Sequence, residues 1–158
     1  MTDLATNQAT VKALIQAVLR YLSIRIRSRQ ELVDYLSQKT SEEEQQSQAL
    51  QYLEENNLID DEAFAKAWIE SRLRHGKGDK IIAYELHQKG VSAKIIQPQL
   101  TAISESTWEE AYCQVVRKYQ NKWLHLKGYQ QKSKIYQVFQ SRGFSSSRID
   151  AFLKRRVE

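Results

Sequence analysis

The chain has 158 residues, with 24 Lys and Arg against 19 Asp and Glu for a formal net charge of +5, and only five Gly, one Pro and one Cys. One cysteine excludes an internal disulfide, and no apolar run approaches the ~20 residues that a bilayer-spanning helix needs. So few Gly and Pro disfavour an all-β or loop-rich protein, while Leu, Ala, Gln, Glu, Lys and Arg make helix the expectation almost everywhere. With no basic cap and apolar signal core at the N-terminus, a cytoplasmic protein without membrane contact is expected.

Leu14, Ile15, Val18, Leu19 and Leu22 recur at helical spacing and predict a first amphipathic helix over 10–24. Ser28 and Glu31 form a capping-box pair, in which the hydroxyl accepts from a first-turn amide and the carboxylate reaches back to the cap N–H. A second helix therefore starts there and carries Leu32, Tyr35 and Leu36. Ser41 and Glu44 repeat the pattern ahead of Ala49, Leu50, Leu53 and Leu58, a third helix ending in the turn-prone Asn56-Asn57. Asp60-Asp61 suits the start of a fourth, with Phe64, Trp68, Ile69 and Leu73 on its apolar face and Gly76 and Gly78 at its end. Ile81, Ile82 and Leu86 make a fifth, closed by Lys89-Gly90, and Ile95, Ile96, Leu100 and Ile103 a sixth around Pro98. Ser106 and Glu109 are a further capping pair, opening a seventh helix with Trp108, Tyr112, Val115, Val116 and Tyr119. Ile135, Tyr136 and Phe139, closed by Arg142-Gly143, and Ile149, Phe152 and Leu153 make the eighth and ninth.

Displacing the sequence by 50 residues places Ala13, Leu14, Ala17 and Val18 on Ala63, Phe64, Ala67 and Trp68, and Leu32 and Leu36 on Ile82 and Leu86. A displacement of 53 carries Ile82, Leu86, Lys89, Gly90 and Ile96 onto Ile135, Phe139, Arg142, Gly143 and Ile149. The reading is an all-α protein of three tandem three-helix, helix-turn-helix-like repeats, at residues 1–59, 60–105 and 106–158. Units this short bury little surface alone, so an elongated, curved body of neighbouring repeats is expected.

Charge is graded along these repeats. Residues 1–60 have six Lys and Arg against nine Asp and Glu, residues 61–105 seven against six, and residues 106–158 eleven against four. The basic end is suited to a polyanion, either nucleic acid or an acidic protein groove.

No nucleophile with a base, no metal set and no phosphate-binding loop is visible, so no enzyme activity, cofactor or metal is expected. Gly76-Lys77-Gly78 is too short for a nucleotide loop. His75, His87 and His125 lack the spacing of helical zinc ligands, and Asp60-Asp61 is explained by a helix start. Trp68 and Trp108 sit on apolar stripes and are read as core; Trp123 and Tyr129, in a stretch with Lys118, Lys122 and Lys127, are left open between core and base stacking. Basic residues recur at the junctions after the first helix of the first and second repeats: Arg25, Arg27 and Arg29, then Arg72, Arg74, Lys77 and Lys80. With the charge gradient, this selects Arg25, Arg27, Arg72, Arg74, Lys127, Lys132, Lys134 and Arg148 as candidate partner- or DNA-contact residues.

Several stretches in order carry a family likeness. They are Leu22-Ser23-Ile24-Arg25-Ile26-Arg27-Ser28 with Glu31-Leu32; Asp60-Asp61-Glu62-Ala63-Phe64-Ala65 with Trp68-Ile69 and Arg72; Gly78 through Ile82 with Glu85-Leu86 and Lys89-Gly90-Val91; and Arg142-Gly143-Phe144-Ser145 with Ile149. From about Ala13 to Leu153 the chain resembles the RecX family of recombination regulators. That resemblance implies a regulator of DNA repair, homologous recombination and the SOS response, in most members negative. It would bind RecA, lodging as a monomer in the groove of the RecA filament on single-stranded DNA. There it would limit filament extension, ATP hydrolysis, strand exchange and repressor cleavage, with the DNA itself a possible direct contact. The chain departs from the family pattern at Lys39-Thr40, where Lys-Gly is usual, and in its acidic Glu42-Glu43-Glu44. Two other readings stand beside this one: a largely non-specific DNA-binding protein of helix-turn-helix type that uses the ninth helix and Arg148, and a purely structural adaptor that uses the acidic first repeat for a protein and the basic third repeat for something else.

Overall fold

The computed structural model of the chain describes residues 2–156, and among these it contains nine α-helices and no strand. They are α1 (Thr2–Ile24), α2 (Arg29–Lys39), α3 (Glu43–Glu55), α4 (Asp61–Arg74), α5 (Asp79–Gln88), α6 (Ala93–Thr101), α7 (Glu105–Tyr119), α8 (Gly128–Ser141) and α9 (Ser146–Arg156). One 3-10 turn, Gln120–Lys122, follows α7. The chain divides into two compact units, Met1–Phe64 with Lys89–Val91, and Ala65–Gln88 with Ser92–Glu158.

The helix starts show which local signals prevailed. Ser28 and Glu31 form the expected capping box on α2. Asp60 caps α4, its Oδ1 accepting from the Ala63 N–H at 2.9 Å. The Ser41–Glu44 box does not form: α3 begins beyond Glu42, which makes no side-chain cap bond. Thr40 organises that turn instead, its Oγ1 accepting from the Glu42 N–H at 3.2 Å and its carbonyl accepting from Gln46 at 2.8 Å. The Ser106–Glu109 box is likewise replaced. Ser104 caps α7 and accepts from the Thr107 N–H at 3.2 Å, which brings Glu105 into the first turn. Helix α1 starts at Thr2 rather than near Thr10, because no Gly or Pro interrupts residues 2–9.

In the first unit, Leu14, Val18, Leu32, Leu36, Ala49 and Leu53 form the core, flanked by Ile15, Tyr21, Leu22, Tyr35, Leu50 and Ile59. Tyr21 and Tyr35 stack at 4.2 Å between centroids. Leu19 and Leu58, expected inside, are exposed. One residue is a 100° rotation on a helix, which takes Leu19 past the face that buries Val18. The second unit has an aromatic core, in which Phe139 meets Phe152 at 4.5 Å and Phe144 at 5.2 Å, and Tyr112 meets Phe152 at 5.4 Å. Trp123 belongs to this core, 3% exposed and tilted against Phe139. Truncating a core residue such as Phe139 to Ala would cost about 3–5 kcal/mol.

A backbone joint recurs once in each unit. In the first, the buried Ser28 Oγ donates to the Lys89 carbonyl at 2.7 Å. In the second, at positions related by the same displacements of 50 and 53, the Gly78 N–H donates to the Arg142 carbonyl at 2.9 Å. Around it the Lys80 N–H donates to Gly143 O at 2.9 Å, and the Ser145 N–H to Asp79 Oδ1 at 2.8 Å. The approach is close enough that a Cβ on Gly78 would lie 2.3 Å from the Phe144 nitrogen. Gly143 is left-handed (φ 84) and passes directly over Ile81, so its identity follows from both conformation and space.

Candidate interaction surfaces

The eight candidate basic residues differ sharply in what they touch. Arg25 forms a bidentate pair with Glu31, at 2.7 and 3.1 Å. Glu31 also accepts from Lys89 Nζ at 2.9 Å and from the Ser28 N–H at 3.1 Å. Burial alone would raise this carboxyl, but the hydrogen bonds from Arg25, Lys89 and the Ser28 backbone outweigh it and hold Glu31 at about 2. Arg27 lies over the Tyr21 ring, 3.8 Å from its centroid, with its Nε buried and unpartnered.

Arg72 is gripped from two sides. Its Nε donates to Glu85 Oε2 at 2.6 Å, and its guanidinium lies 4.3 Å from the Trp68 centroid. The Trp68 indole N–H donates to the same carboxylate oxygen at 2.9 Å, so Trp68, read as core, is half-buried with a polar task. Arg148 shows a similar arrangement: Nη1 donates to Glu105 Oε1 at 2.9 Å, and the guanidinium lies 4.4 Å from the Trp108 centroid. Below it the Tyr112 hydroxyl donates to the Arg148 carbonyl at 3.1 Å, and burial pushes the Tyr112 phenol up. Arg155 pairs with Glu105 at 3.1 Å and also with Glu109. Each three-helix repeat thus carries an arginine on an aromatic ring of its first helix: Tyr21, Trp68 or Trp108. A stacked cation contributes about 0.5–2 kcal/mol according to its desolvation.

The other four candidates face solvent more openly. Lys134 is half-buried and donates to Gln137 Oε1 at 3.0 Å. Arg74, Lys127 and Lys132 are exposed. Arg74 borders a hollow with Glu70 and Glu110, whereas Lys132 borders one with Tyr129 and Tyr136. Arg25 and Arg27 belong to the first unit and the other six to the second, where they sit on α4, α8 with its N-cap residue, and α9. The tight group near the start of α9 is directed inward onto α7, which leaves Arg148 engaged rather than projecting.

Models of the first, second and third three-helix domains of RecX match residues 15–53, 60–98 and 109–153, in that order. The chain belongs to the RecX family. Among curated relatives, it is 31% identical over 142 residues to the regulatory protein RecX of Lactobacillus gasseri, covering 89% of this chain and 52% of that one. It is 37% identical over 100 residues to the regulatory protein RecX of Mycolicibacterium smegmatis, covering 63% of this chain and 53% of that one. The chain spans about half the length of the curated RecX proteins it matches. The crystal structure of RecX from Lactobacillus salivarius is similar with a TM-score of 0.81 and 26% identity, over 92% of this chain and 95% of that one. A second RecX crystal structure gives a TM-score of 0.80 at 25% identity, over 94% and 74%. These relatives are named regulatory proteins.

Among the described residues no helix is long and apolar enough to cross a membrane, and no three of His, Cys, Asp and Glu gather to hold a metal. Sequence reasoning missed the acidic partners Glu85 and Glu105. The four-residue spacing of Trp68 and Arg72 was a usable signal for the first, whereas Arg148 reaches Glu105 across 43 positions with no local trace.

Proposed function

We propose that this RecX-family chain is a non-catalytic, negative regulator of the RecA recombinase. It binds as a cytoplasmic monomer in the groove of the RecA filament on single-stranded DNA. There it limits filament extension, ATP hydrolysis, strand exchange and coprotease activity. The observation that carries this reading is the ordered match of all three RecX three-helix domains, supported by likeness to RecX crystal structures. The repeats at 1–59, 60–105 and 106–158 are the working divisions, with the basic third one nearest the DNA. The exposed Arg74, Lys127 and Lys132 are the side chains best placed to meet a polyanion, since Arg25, Arg72 and Arg148 already hold carboxylates.

The test is ATP hydrolysis by preformed RecA filaments on single-stranded DNA, titrated with this protein at two salt concentrations beside its binding to the bare strand. The reading expects inhibition well below the concentration that coats bare DNA. Inhibition only at coating concentrations would make the chain a general DNA binder, and none at all would favour an adaptor for other partners.

A further inference from the structure

We propose that the groove between α4 and the start of α7 is a docking site for an amphipathic helix of a protein partner, which the filament reading identifies as the recombinase itself. This docking rests on that reading and deepens it, because it separates the surface that meets protein from the basic one that meets a strand.

Two hollows of about 400 and 200 Å³ run together here, since Glu70, Leu73 and Thr107 line both. Lys66 and Ile69 share the larger one with Ala102 and Ile103 at the end of α6, and Arg74 shares the smaller one with Glu110 and Gln114, so α4 and α7 run side by side in the same direction. All of these residues belong to the second unit. The floor is apolar, with Ile69 and Leu73 each 4% exposed and Ala111 1% exposed. From Lys66 to Arg74 the groove extends about 12 Å, or about two turns of helix. Its walls are helices whose backbone groups are bonded within themselves, so no strand can add to an edge. A helix that lays apolar side chains along the floor at spacings of three and four is the complementary shape.

The rim specifies the charge of that helix. Lys66, Glu70 and Arg74 follow one another at spacings of four along α4, and Glu110 joins Arg74 in the smaller hollow. All four are exposed. The ion pairs of the second unit, Arg72 with Glu85, Arg148 with Glu105, and Arg155 with Glu105 and Glu109, use none of them. Two cations and two carboxylates make this rim neutral, whereas α8 carries Lys132 and Lys134 and no acid. A phosphate strand would meet the carboxylates of Glu70 and Glu110 beside Arg74 and be repelled. A helix of mixed charge, with a base towards these carboxylates and acids towards Lys66 and Arg74, is complementary. An apolar floor inside a polar rim is also the build of a protein interface. Arg74 thereby parts from Lys127 and Lys132, and its counter-ion is a carboxylate of the partner.

The decisive experiment takes RecA filaments on oligodeoxythymidylate and measures inhibition of ATP hydrolysis, beside anisotropy of the chain on the bare strand. Two variants approach the groove independently. Glu70→Lys combined with Glu110→Lys reverses the rim, and Ala102→Trp fills the larger hollow from an exposed position without changing charge. Each is expected to raise the concentration for half-inhibition about 5- to 30-fold, the effect of losing an interface anchor. Affinity for the bare strand should be unchanged in Ala102→Trp and no weaker in the double reversal, which adds positive charge. Circular dichroism melts establish that each variant is folded, and if the double reversal is not, Ala102→Trp decides alone. Native-like inhibition by either folded variant would overturn the site, as would a fall in bare-strand affinity that parallels the loss of inhibition. A native chain that leaves filaments uninhibited sinks the filament reading and this site together, whereas a native chain that inhibits no better than the variants sinks the site alone.

Discussion

Replacing Gly78 by Ala probes the joint of the second unit most directly. The added Cβ would sit 2.3 Å from the Phe144 nitrogen and 2.4 Å from the carbonyl carbon and oxygen of Gly143, all main-chain atoms that cannot rotate away. Relief requires the two segments to part by about 1 Å, which breaks the bonds from Gly78 N–H to Arg142 O and from Lys80 N–H to Gly143 O, each 2.9 Å. Two hydrogen bonds at about 0.5–1.5 kcal/mol each, with about 1–3 kcal/mol for overpacking, put the loss at about 2–6 kcal/mol. At roughly 2–4 °C per kcal/mol for a chain of this size, the melting temperature should fall by about 4–24 °C. Circular dichroism melts would measure it, with hydrogen exchange at Gly78 and Lys80 locating the loss. Gly128→Ala is the control: its φ is 55 but nothing lies within 4 Å of the new Cβ, so it bears only the left-handed penalty of about 1 kcal/mol. If Gly78→Ala melted no lower than Gly128→Ala, the joint would be neither tight nor stabilising.

The Glu31 carboxyl, held at about 2 against an ordinary value of 4.5, contributes stability that is fully present above pH 4.5 and lost as pH falls towards 2. The span is worth on the order of 3 kcal/mol; urea titrations should show this slope in the native chain, and its persistence in Glu31→Gln would assign it elsewhere. Trp68→Phe removes the indole donor to Glu85 and should cost about 1 kcal/mol, measurable as a lower urea midpoint. Arg148→Glu sets a carboxylate against Glu105 and should destabilise the second unit, whereas Lys127→Glu and Lys132→Glu should leave the melt unchanged and raise the concentration needed to inhibit RecA filaments. Equal melting of all three variants would show that the ion pair at Arg148 carries no weight.

Much of the fold was legible because the repeat signals are local. Apolar stripes, the Ser28–Glu31 box, Asp60 and the Gly90 and Gly143 stops lie within one helix or its ends, and the structure places them as the spacing predicts. The misassigned starts at Ser41 and Ser106 arose where a hydroxyl one or two residues earlier, Thr40 or Ser104, competed for the same turn. The candidate site was legible only as charge. Sequence cannot show that Arg72 and Arg148 are stacked and paired while Lys127 and Lys132 remain exposed, because Glu85 and Glu105 come from other helices.

The departure of Lys39-Thr40 from the Lys-Gly pattern has its explanation in the backbone at the helix end. Gly143 is required because the α5 entry presses on it, with Ile81 atoms 2.3 Å from where a Cβ would stand. Gly90 occupies the related place against Gln30, at 2.5 Å. Thr40 closes α2 in an extended conformation, φ −150 and ψ 145, and uses its hydroxyl and carbonyl to start α3. A helix end that leaves in extended backbone does not need the left-handed conformation that glycine supplies. Glycine at 90 and 143 is therefore the mark of a left-handed helix end with a segment pressed against it, whereas Thr40 closes α2 in extended backbone that any residue adopts.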